Sequence, residues 1–218
     1  MGRPREHGEE MRARLLAVAG RILAEEGPDA LSNRRLAAEA DTTTRAIYTL
    51  FDNKAGLFRA LCHESARIVS EELAVVAEHD DPLEELMALA LAYRRAAITN
   101  PHLYRLQFEG GLAGLRPDAD DRRAALANFG RVLAAVTRCV QAGIFPGRSP
   151  MTITLQTWAT NHGLASLEIH GHLAPPQRAE ARWRDHIGAM LAGYRVPPSG
   201  VDGNQSGPAS RAVGRPTD

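Results

Sequence analysis

The chain has 218 residues, and its 26 basic and 26 acidic side chains give a formal net charge of zero. A neutral total excludes a general attraction to nucleic acid, so any DNA-binding surface must be local and its non-specific binding weak. The two cysteines match no metal or redox spacing, and the lack of a signal peptide or a membrane-length apolar run predicts a soluble cytoplasmic protein.

The N-terminal segment is polar. Residues 1–8 contain Arg3 and Arg5 and are predicted to form a flexible arm. Arginines in such an arm can enter a DNA minor groove, and a disordered tail without a role is the alternative. A first helix is predicted over about residues 9–26, because apolar residues recur at helical spacing and Gly27 follows them.

Two short helices follow. Ser32 can cap one over residues 33–40, and Thr43 can cap a second over 44–51, with a tight turn between them. An isolated helix of this length is unstable, because nucleation costs more than so few hydrogen bonds return. The second helix must therefore be docked through an apolar face, which its i, i+3, i+4 spacing assigns to Ile47, Leu50 and Phe51.

The opposite side of this second helix carries hydrogen-bond donors. Arg45 is the best candidate to read a base, because an arginine can pair bidentately with guanine. Tyr48 is a candidate phosphate contact, as is Lys54, which lies in the first turn of a helix that Asn53 can cap. The full set of candidate DNA-binding residues is Asn33, Arg34, Thr43, Thr44, Arg45, Tyr48, Thr49 and Lys54.

Helical patterns continue without a strand pattern to about residue 194, which predicts an all-α protein. The expected helices cover about residues 54–79, 82–99, 102–108, 118–142, 150–170 and 175–194. The first of these should contribute to two domains and link them mechanically. Residues 196–218 have the composition of a disordered tail.

The N-terminal segment resembles the DNA-binding domain of the TetR family of transcriptional regulators. The resemblance is carried by Leu36-Ala37, Ala46-Ile47-Tyr48, Phe51, Asn53-Lys54 and Leu57-Phe58. Asp41 stands where the family usually has glycine, and Leu50 where many members have a phosphate-touching histidine or tyrosine. Residues 100–108 and 158–164 resemble the C-terminal domain of a subgroup known for a Trp-His-Gly motif.

This resemblance covers about residues 9–195 and implies a DNA-binding domain over 9–61 and an effector-binding and dimerisation domain over 62–195. It implies a homodimer, formed through residues 150–171 and 175–194, that binds a palindromic double-stranded DNA operator and is released by a small-molecule effector. The expected role is that of a repressor, not an enzyme, without a cofactor. The broad apolar stripe on the last helix independently favours a second copy, since no later element could cover it.

Four residues are candidates for the effector pocket, because they combine apolar walls with polar tips. They are Tyr104, Phe108, Trp158 and His162. For Trp158 and His162 the alternative is ordinary packing in the core.

Other functions remain open. A DNA-binding activator, or a regulator without an effector, would have the same pattern. A metal-dependent enzyme or metal sensor could use His162, His170 and His172. However, eight residues of helix separate His162 from His170 by about 12 Å, too far for one ion, and no H-E-x-x-H motif is present.

Overall fold

The computed structural model describes residues 3–108, 119–173 and 175–197, and these form helices without a strand, so the all-α fold is confirmed. Within these ranges no helix is long and apolar enough to cross a membrane. The α-helices are α1 (Arg3–Glu26), α2 (Asn33–Glu39), α3 (Thr44–Phe51), α4 (Lys54–Ala74), α5 (Pro82–Thr99), α6 (Pro101–Phe108), α7 (Ala119–Gln141), α8 (Pro150–Ile169) and α9 (Ala179–Tyr194). Short 3₁₀ turns at Pro28–Ala30 and Pro176–Arg178 precede α2 and α9.

Two helix limits differ from those expected. Helix α1 begins at Arg3, so residues 3–8 extend the helix where the sequence predicted a flexible arm. Pro4 is tolerated there because the first turn of a helix has no use for its missing N–H. Helix α4 ends at Ala74, before the expected limit near residue 79. The predicted disordered tail lies almost wholly outside the described residues.

Side-chain caps fix the boundaries of the short helices. The side-chain oxygens of Ser32, Thr43 and Asn53 each accept a hydrogen bond from the backbone N–H three residues later, at 3.3, 3.2 and 2.9 Å. Asp41 has a φ of 50° in the turn between α2 and α3, a conformation that aspartate adopts more readily than most residues. Asp52, between α3 and α4, has a φ of 66°, which the sequence did not indicate.

The described residues form two hydrophobic cores that share two helices. The N-terminal core is built by α1 to α4, and the C-terminal core by α4, α5 and α7 to α9. Helix α4 contributes Phe58 to the first core and Leu73 to the second. Helix α6 does the same with adjacent residues, Leu103 in the first core and Tyr104 in the second. The sequence predicted a shared role for α4 but not for α6.

The apolar stripe on α9 is covered within the same chain. Trp183, Ile187, Leu191 and Tyr194 are all buried in the C-terminal core, where α9 packs against α5 and α8. The expectation that this stripe needs a second copy to cover it was therefore wrong. Met190, which belongs to the same stripe, is partly buried and packs against this core.

A charged network ties α9 to the rest of the C-terminal core. The carboxylate of Glu168 on α8 accepts two hydrogen bonds from Arg94 on α5, at 2.9 and 2.7 Å. The same carboxylate accepts a hydrogen bond from the indole nitrogen of Trp183 at 2.8 Å. The side chains of Arg94 and Glu168 are only 12% and 14% exposed, so water competes little for these hydrogen bonds.

Replacing Glu168 should therefore destabilise the C-terminal domain. A Glu168→Leu variant leaves a largely buried guanidinium and an indole N–H without their acceptor, and should lower the free energy of unfolding by about 2–4 kcal/mol. Urea denaturation followed by circular dichroism measures this loss. Glu180 also contacts Arg94, at 3.6 Å, but is 53% exposed, so Glu180→Leu is the matched control and should cost less than about 0.5 kcal/mol. Equal losses for the two variants would contradict the account.

Candidate functional site

Helix α3 is held from behind by its apolar residues. Ile47 and Phe51 are buried in the N-terminal core, and Leu50 packs partly against it. Each buried large side chain contributes about 1.5–3 kcal/mol, which is enough to fix a helix of eight residues that could not persist alone. The docked face that the sequence predicted is therefore the one observed.

The outward side of α3 presents free polar side chains. Tyr48 is 56% exposed, and Thr44 and Arg45 are exposed beside it. Within the described residues, neither the guanidinium of Arg45 nor the hydroxyl of Tyr48 has a hydrogen-bond or ion-pair partner. These two groups are therefore available to an external partner at no cost in internal bonding.

The other candidate DNA-binding residues differ in their exposure and in whether their side chains make hydrogen bonds within the protein. The Thr43 oxygen caps α3, and the Thr49 hydroxyl donates a hydrogen bond to the Arg45 carbonyl oxygen at 2.9 Å. Lys54 is exposed, with its ammonium 5.8 Å from the ring centre of Phe58. On α2, Arg34 is exposed and Asn33 is partly buried. Contact of any of them with DNA stays a prediction.

An ion-pair cluster that the sequence analysis missed fixes α2 against α1. Arg35 binds the carboxylates of Glu26 and Glu39, and Arg21 binds Glu39 at 2.7 Å. The hydrogen bond from Arg35 is the main cause that lowers the pKa of Glu39. The pair Arg35–Glu39 has the i, i+4 spacing that could have indicated it, whereas the link to α1 depends on tertiary structure.

The C-terminal core contains a partly open cavity of about 460 Å³. Its walls come from α4, α5, α6, α7 and α8. Two of the four predicted ligand-binding residues, Phe108 and Trp158, line it, and they are 40% and 49% exposed. Because Trp158 is half exposed, it is not an ordinary core residue.

The other two predicted residues, Tyr104 and His162, lie behind these aromatic rings and are not part of the cavity lining. The His162 ring makes edge contacts with Phe108 and Trp158, at centroid distances of 4.2 and 4.5 Å. The Tyr104 hydroxyl donates a hydrogen bond to the His162 carbonyl oxygen at 3.0 Å. His162 therefore connects the aromatic wall of the cavity to α6.

Burial keeps the His162 imidazole neutral. Desolvation lowers the pKa of His162 to about 4. The hydroxyl of Tyr93 lies 3.0 Å from Nδ1 of His162. Since Tyr104 gives its proton to the carbonyl, Tyr93 is the natural donor to this ring nitrogen. Tyr93 also lines the cavity, a role that the sequence analysis missed because α5 gave no local signal of it.

Two buried polar side chains of α8 also line the cavity. Thr157 and Asn161 are only 2% and 5% exposed. Within the described part of the chain, Thr157 Oγ1 and Asn161 Oδ1 have no hydrogen-bond partner. The sequence analysis missed both, although two polar residues four apart on an otherwise buried helix face could have drawn attention to them.

The three histidines of the metal hypothesis do not form a set. His162 faces Tyr93 and Tyr104, whereas the rings of His170 and His172 stack on each other at 6.5 Å. Among the residues that the structure describes, no group of three His, Cys, Asp or Glu side chains could hold a metal ion.

The neutral state of His162 predicts a pH dependence of stability. A histidine in the unfolded chain has a pKa near 6.5, whereas His162 in the folded chain has a pKa of about 4. Protons therefore bind the unfolded state more readily, so stability is present above about pH 6.5 and is lost as the pH falls toward 4. A His162→Gln variant should lose less stability than wild type between pH 7 and pH 5, as measured by urea denaturation.

The exposed His186 provides the control, and His186→Gln should keep the wild-type pH dependence. Burial also lowers the pKa of His102, but that residue is present in all three proteins. Identical pH profiles for wild type and His162→Gln would contradict the assignment.

Two parts of the chain match two known domain families. Residues 15–61 match the profile of bacterial regulatory proteins of the tetR family, and residues 86–190 match that of a tetracyclin repressor-like C-terminal domain. The first match contains α3 and the second contains Tyr93, Trp158 and His162. Neither profile names the Trp-His-Gly subgroup, so that assignment stays a prediction.

Whole-chain comparisons agree with this division. The chain is 23% identical over 207 residues to the HTH-type transcriptional regulator AcrR of Shigella flexneri, which covers 89% of this chain and 94% of that protein. A protein of unknown function from Rhodococcus sp. RHA1 has a similar structure, with a TM-score of 0.71, 26% identity, and coverage of 85% of this chain and 96% of that one. AibR, solved in complex with isovaleryl coenzyme A and operator DNA, has a TM-score of 0.69 at 16% identity, and the coverage is 84% and 98%. The chain therefore belongs to the TetR family of transcriptional regulators, which are DNA-binding proteins and not enzymes.

Proposed function

We propose that this protein binds a palindromic operator as a homodimer and that a small-molecule effector in the C-terminal cavity releases it, as a ligand-responsive repressor. The observation that carries the proposal is the pair of unpartnered side chains, Arg45 and Tyr48, on a helix docked through its other face. Residues 9–61 would form the DNA-binding domain, and residues 62–195 the domain that binds effector and partner.

Base reading would come from Arg45. A guanidinium can donate two parallel hydrogen bonds to the major-groove edge of guanine, which discriminates against other bases by about 1–3 kcal/mol. Tyr48 and Lys54 would position the protein on phosphates, together with the free N–H groups at the start of α3. Because the net charge of the chain is zero, general electrostatic attraction to DNA adds little to the binding free energy. The affinity would therefore come from two half-sites that are bound at the same time.

A homodimer would form through α8 and α9. The support for this lies on the outer side of α8, where Ala159, Gly163 and Leu167 are exposed. A Cβ atom placed on Gly163 would meet nothing within 4 Å, so the described chain leaves room for close approach of another helix. A two-fold axis through this surface would relate the two α3 helices, so that each could enter one half-site of a palindromic operator.

The effector would act on the two shared helices. The cavity wall includes Ala66, Val69 and Leu73 of α4 and Phe108 of α6, and both helices also pack in the N-terminal core. A ligand that fits the cavity best when α4 or α6 is displaced would favour a spacing of the α3 helices that no longer matches the operator. Such coupling typically requires that the ligand bind the DNA-incompetent conformation more tightly than the DNA-competent one by about 1–3 kcal/mol. AibR, with its acyl coenzyme A and operator, shows that this fold can hold both kinds of ligand.

Selection of bound sequences from random DNA tests whether the protein recognises a palindromic operator. Variants of Arg45 and Lys54 then test which side chains make the contacts. An Arg45→Ala variant should lose about 1–3 kcal/mol of preference at one base pair of each half-site. A Lys54→Ala variant should bind all sequences more weakly and should reduce the slope of log affinity against log salt by about one. Titration of the selected operator by fluorescence anisotropy at several salt concentrations measures both effects.

Arg123, an exposed arginine on α7, supplies the control, and Arg123→Ala should bind as wild type does. The proposal fails if Arg45→Ala leaves both the affinity and the sequence preference unchanged.

A further inference from the structure

Helix α3 joins α4 through Asp52 and Asn53, and the backbone of this junction is unusual. Asp52 has a φ of 66° and a ψ of −55°, and the N–H of Asn53 donates a hydrogen bond to the Phe51 carbonyl oxygen at 2.7 Å. These angles and this bond define a γ-turn with a positive φ, which is rare and strained for a residue with a side chain. Such a turn persists only where the surrounding structure imposes it. The angle between α3 and α4 is therefore set by tertiary contacts and not by a local preference of the chain.

The contact that sets this angle lies between the end of α3 and the first turn of α4. Gly56, whose N–H donates to the side-chain oxygen of Asn53 at 2.9 Å, faces the Phe51 carbonyl group. A Cβ atom on Gly56 would come far inside 3.0 Å of the carbonyl oxygen, a separation that real Cβ atoms essentially never show. The carbonyl group belongs to the backbone, so no side-chain rotation relieves this overlap. A side chain at position 56 therefore requires that α3 or the first turn of α4 move.

Helix α3 is the part that should move. Helix α4 is anchored in both cores, through Leu57 and Phe58, each 1% exposed, in the first and through Leu73 in the second. Helix α3 has two buried side chains, Ile47 and Phe51. Because Leu57 directly follows position 56, the first turn of α4 has little freedom to retreat. The residues of α3 are joined by helical hydrogen bonds, so a displacement at its end is passed on to its outward side chains.

We propose that Gly56 is a positioning residue for DNA recognition, which lets the end of α3 rest on α4 and thereby holds Arg45 in register with its base pair. It acts through α3, since its own N–H is already bonded and it has no side chain to offer. The proposal rests on the proposed function, because it takes Arg45 to read a base. A bidentate pair needs both hydrogen bonds at normal length and angle, and a preorganised site holds its groups within about 0.5 Å. The overlap at position 56 exceeds that tolerance.

A Gly56→Ala variant of the full-length protein tests this role. Its affinity for the selected operator should fall about fivefold to a hundredfold, the range expected when one bidentate arginine–guanine pair is lost. Its affinity for DNA of unrelated sequence should fall by about twofold or less, because that binding comes from phosphate contacts that carry no sequence information. Fluorescence anisotropy titrations measure both affinities.

Gly130 on α7 supplies the matched control. Gly130→Ala also replaces a helical glycine, but within the described residues its Cβ atom would meet nothing within 4 Å. This variant should bind both DNAs as wild type does. An operator preference of Gly56→Ala equal to that of Gly130→Ala would overturn the inference.

A double-mutant cycle with Arg45→Ala separates positioning from a general loss of stability. If Gly56 acts through Arg45, the two losses overlap, and Gly56→Ala should cost about twofold or less in a chain that already lacks the Arg45 side chain. A merely structural defect would lower operator affinity by the same factor in both backgrounds. Equal factors would therefore contradict the positioning role.

Hydrogen exchange of the free protein shows whether Gly56→Ala keeps its fold. The backbone N–H groups of α1 and α2 should exchange as slowly as in wild type, because neither helix takes part in the overlap at position 56. Those of α3 should exchange faster. Loss of protection throughout α1 and α2 would mean that Gly56 holds the whole domain together, and the positioning role would be wrong.

The salt dependence of operator binding identifies which helix moves. Displacement of α3 should leave the slope of log affinity against log salt unchanged, because Lys54 stays in place. A loosened first turn of α4 would instead carry Lys54 away from its phosphate and reduce the slope by about one. That result would overturn the assignment to α3.

The Arg45→Ala variant alone keeps the two proposals apart. If it leaves the sequence preference unchanged, the base-reading proposal fails whatever Gly56→Ala does. If it lowers the preference and Gly56→Ala does not, base reading by Arg45 stands and only the positioning role of Gly56 fails.

Discussion

The docking of α3 through Ile47 and Phe51 is the interaction on which the rest of the structure depends. A helix of eight residues has no stability of its own, so its direction is set entirely by the core behind it. The caps at Thr43 and Asn53 fix where α3 begins and where α4 takes over. Because α4 packs in the same core, the proposed mechanism expects a change in how α4 sits there to move the outward side chains of α3. In the proposed mechanism, recognition and regulation are linked because both depend on this packing contact.

Helices α4 and α6 connect the N-terminal core to the C-terminal core, because each contributes residues to both. Adjacent residues of a helix point about 100° apart, and α6 uses this to place Leu103 in one core and Tyr104 in the other. Tyr104 is bonded to His162, whose ring touches the aromatic wall of the cavity. One residue before Leu103, a Cβ atom on Gly20 of α1 would lie 2.8 Å from Cδ2 of His102. Glycine at this position leaves room for the His102 ring, so α1 and α6 pack closely. In the proposed mechanism, α6 is therefore a second connection to the DNA-binding domain beside α4.

The sequence predicted local features well and tertiary ones poorly. The limits of α3 agree with the structure because Thr43, Phe51 and Asn53 act within a few residues of themselves. Phe108 and Trp158 could be proposed for the cavity from residue type alone. The roles of Tyr93, Thr157 and Asn161 could not, because they depend on which faces of α5 and α8 meet across the core. The α9 stripe was misjudged for the same reason: periodicity shows that a face is apolar, but not whether its own chain or a second copy covers it.

The distance between the two α3 helices in the operator complex tests the account most directly. A spin label at Arg59→Cys, an exposed residue of α4 outside the candidate DNA contacts, allows pulsed electron paramagnetic resonance to measure the separation of the two DNA-binding domains without a label in the groove. The labelled chain has Cys62 and Cys139 replaced by alanine. The account predicts one narrow population, in which the two α3 helices are separated by one helical turn of the duplex, about 34 Å, or by a multiple of it. A broad distribution, or a separation that places the two labels on different sides of the duplex, would contradict it.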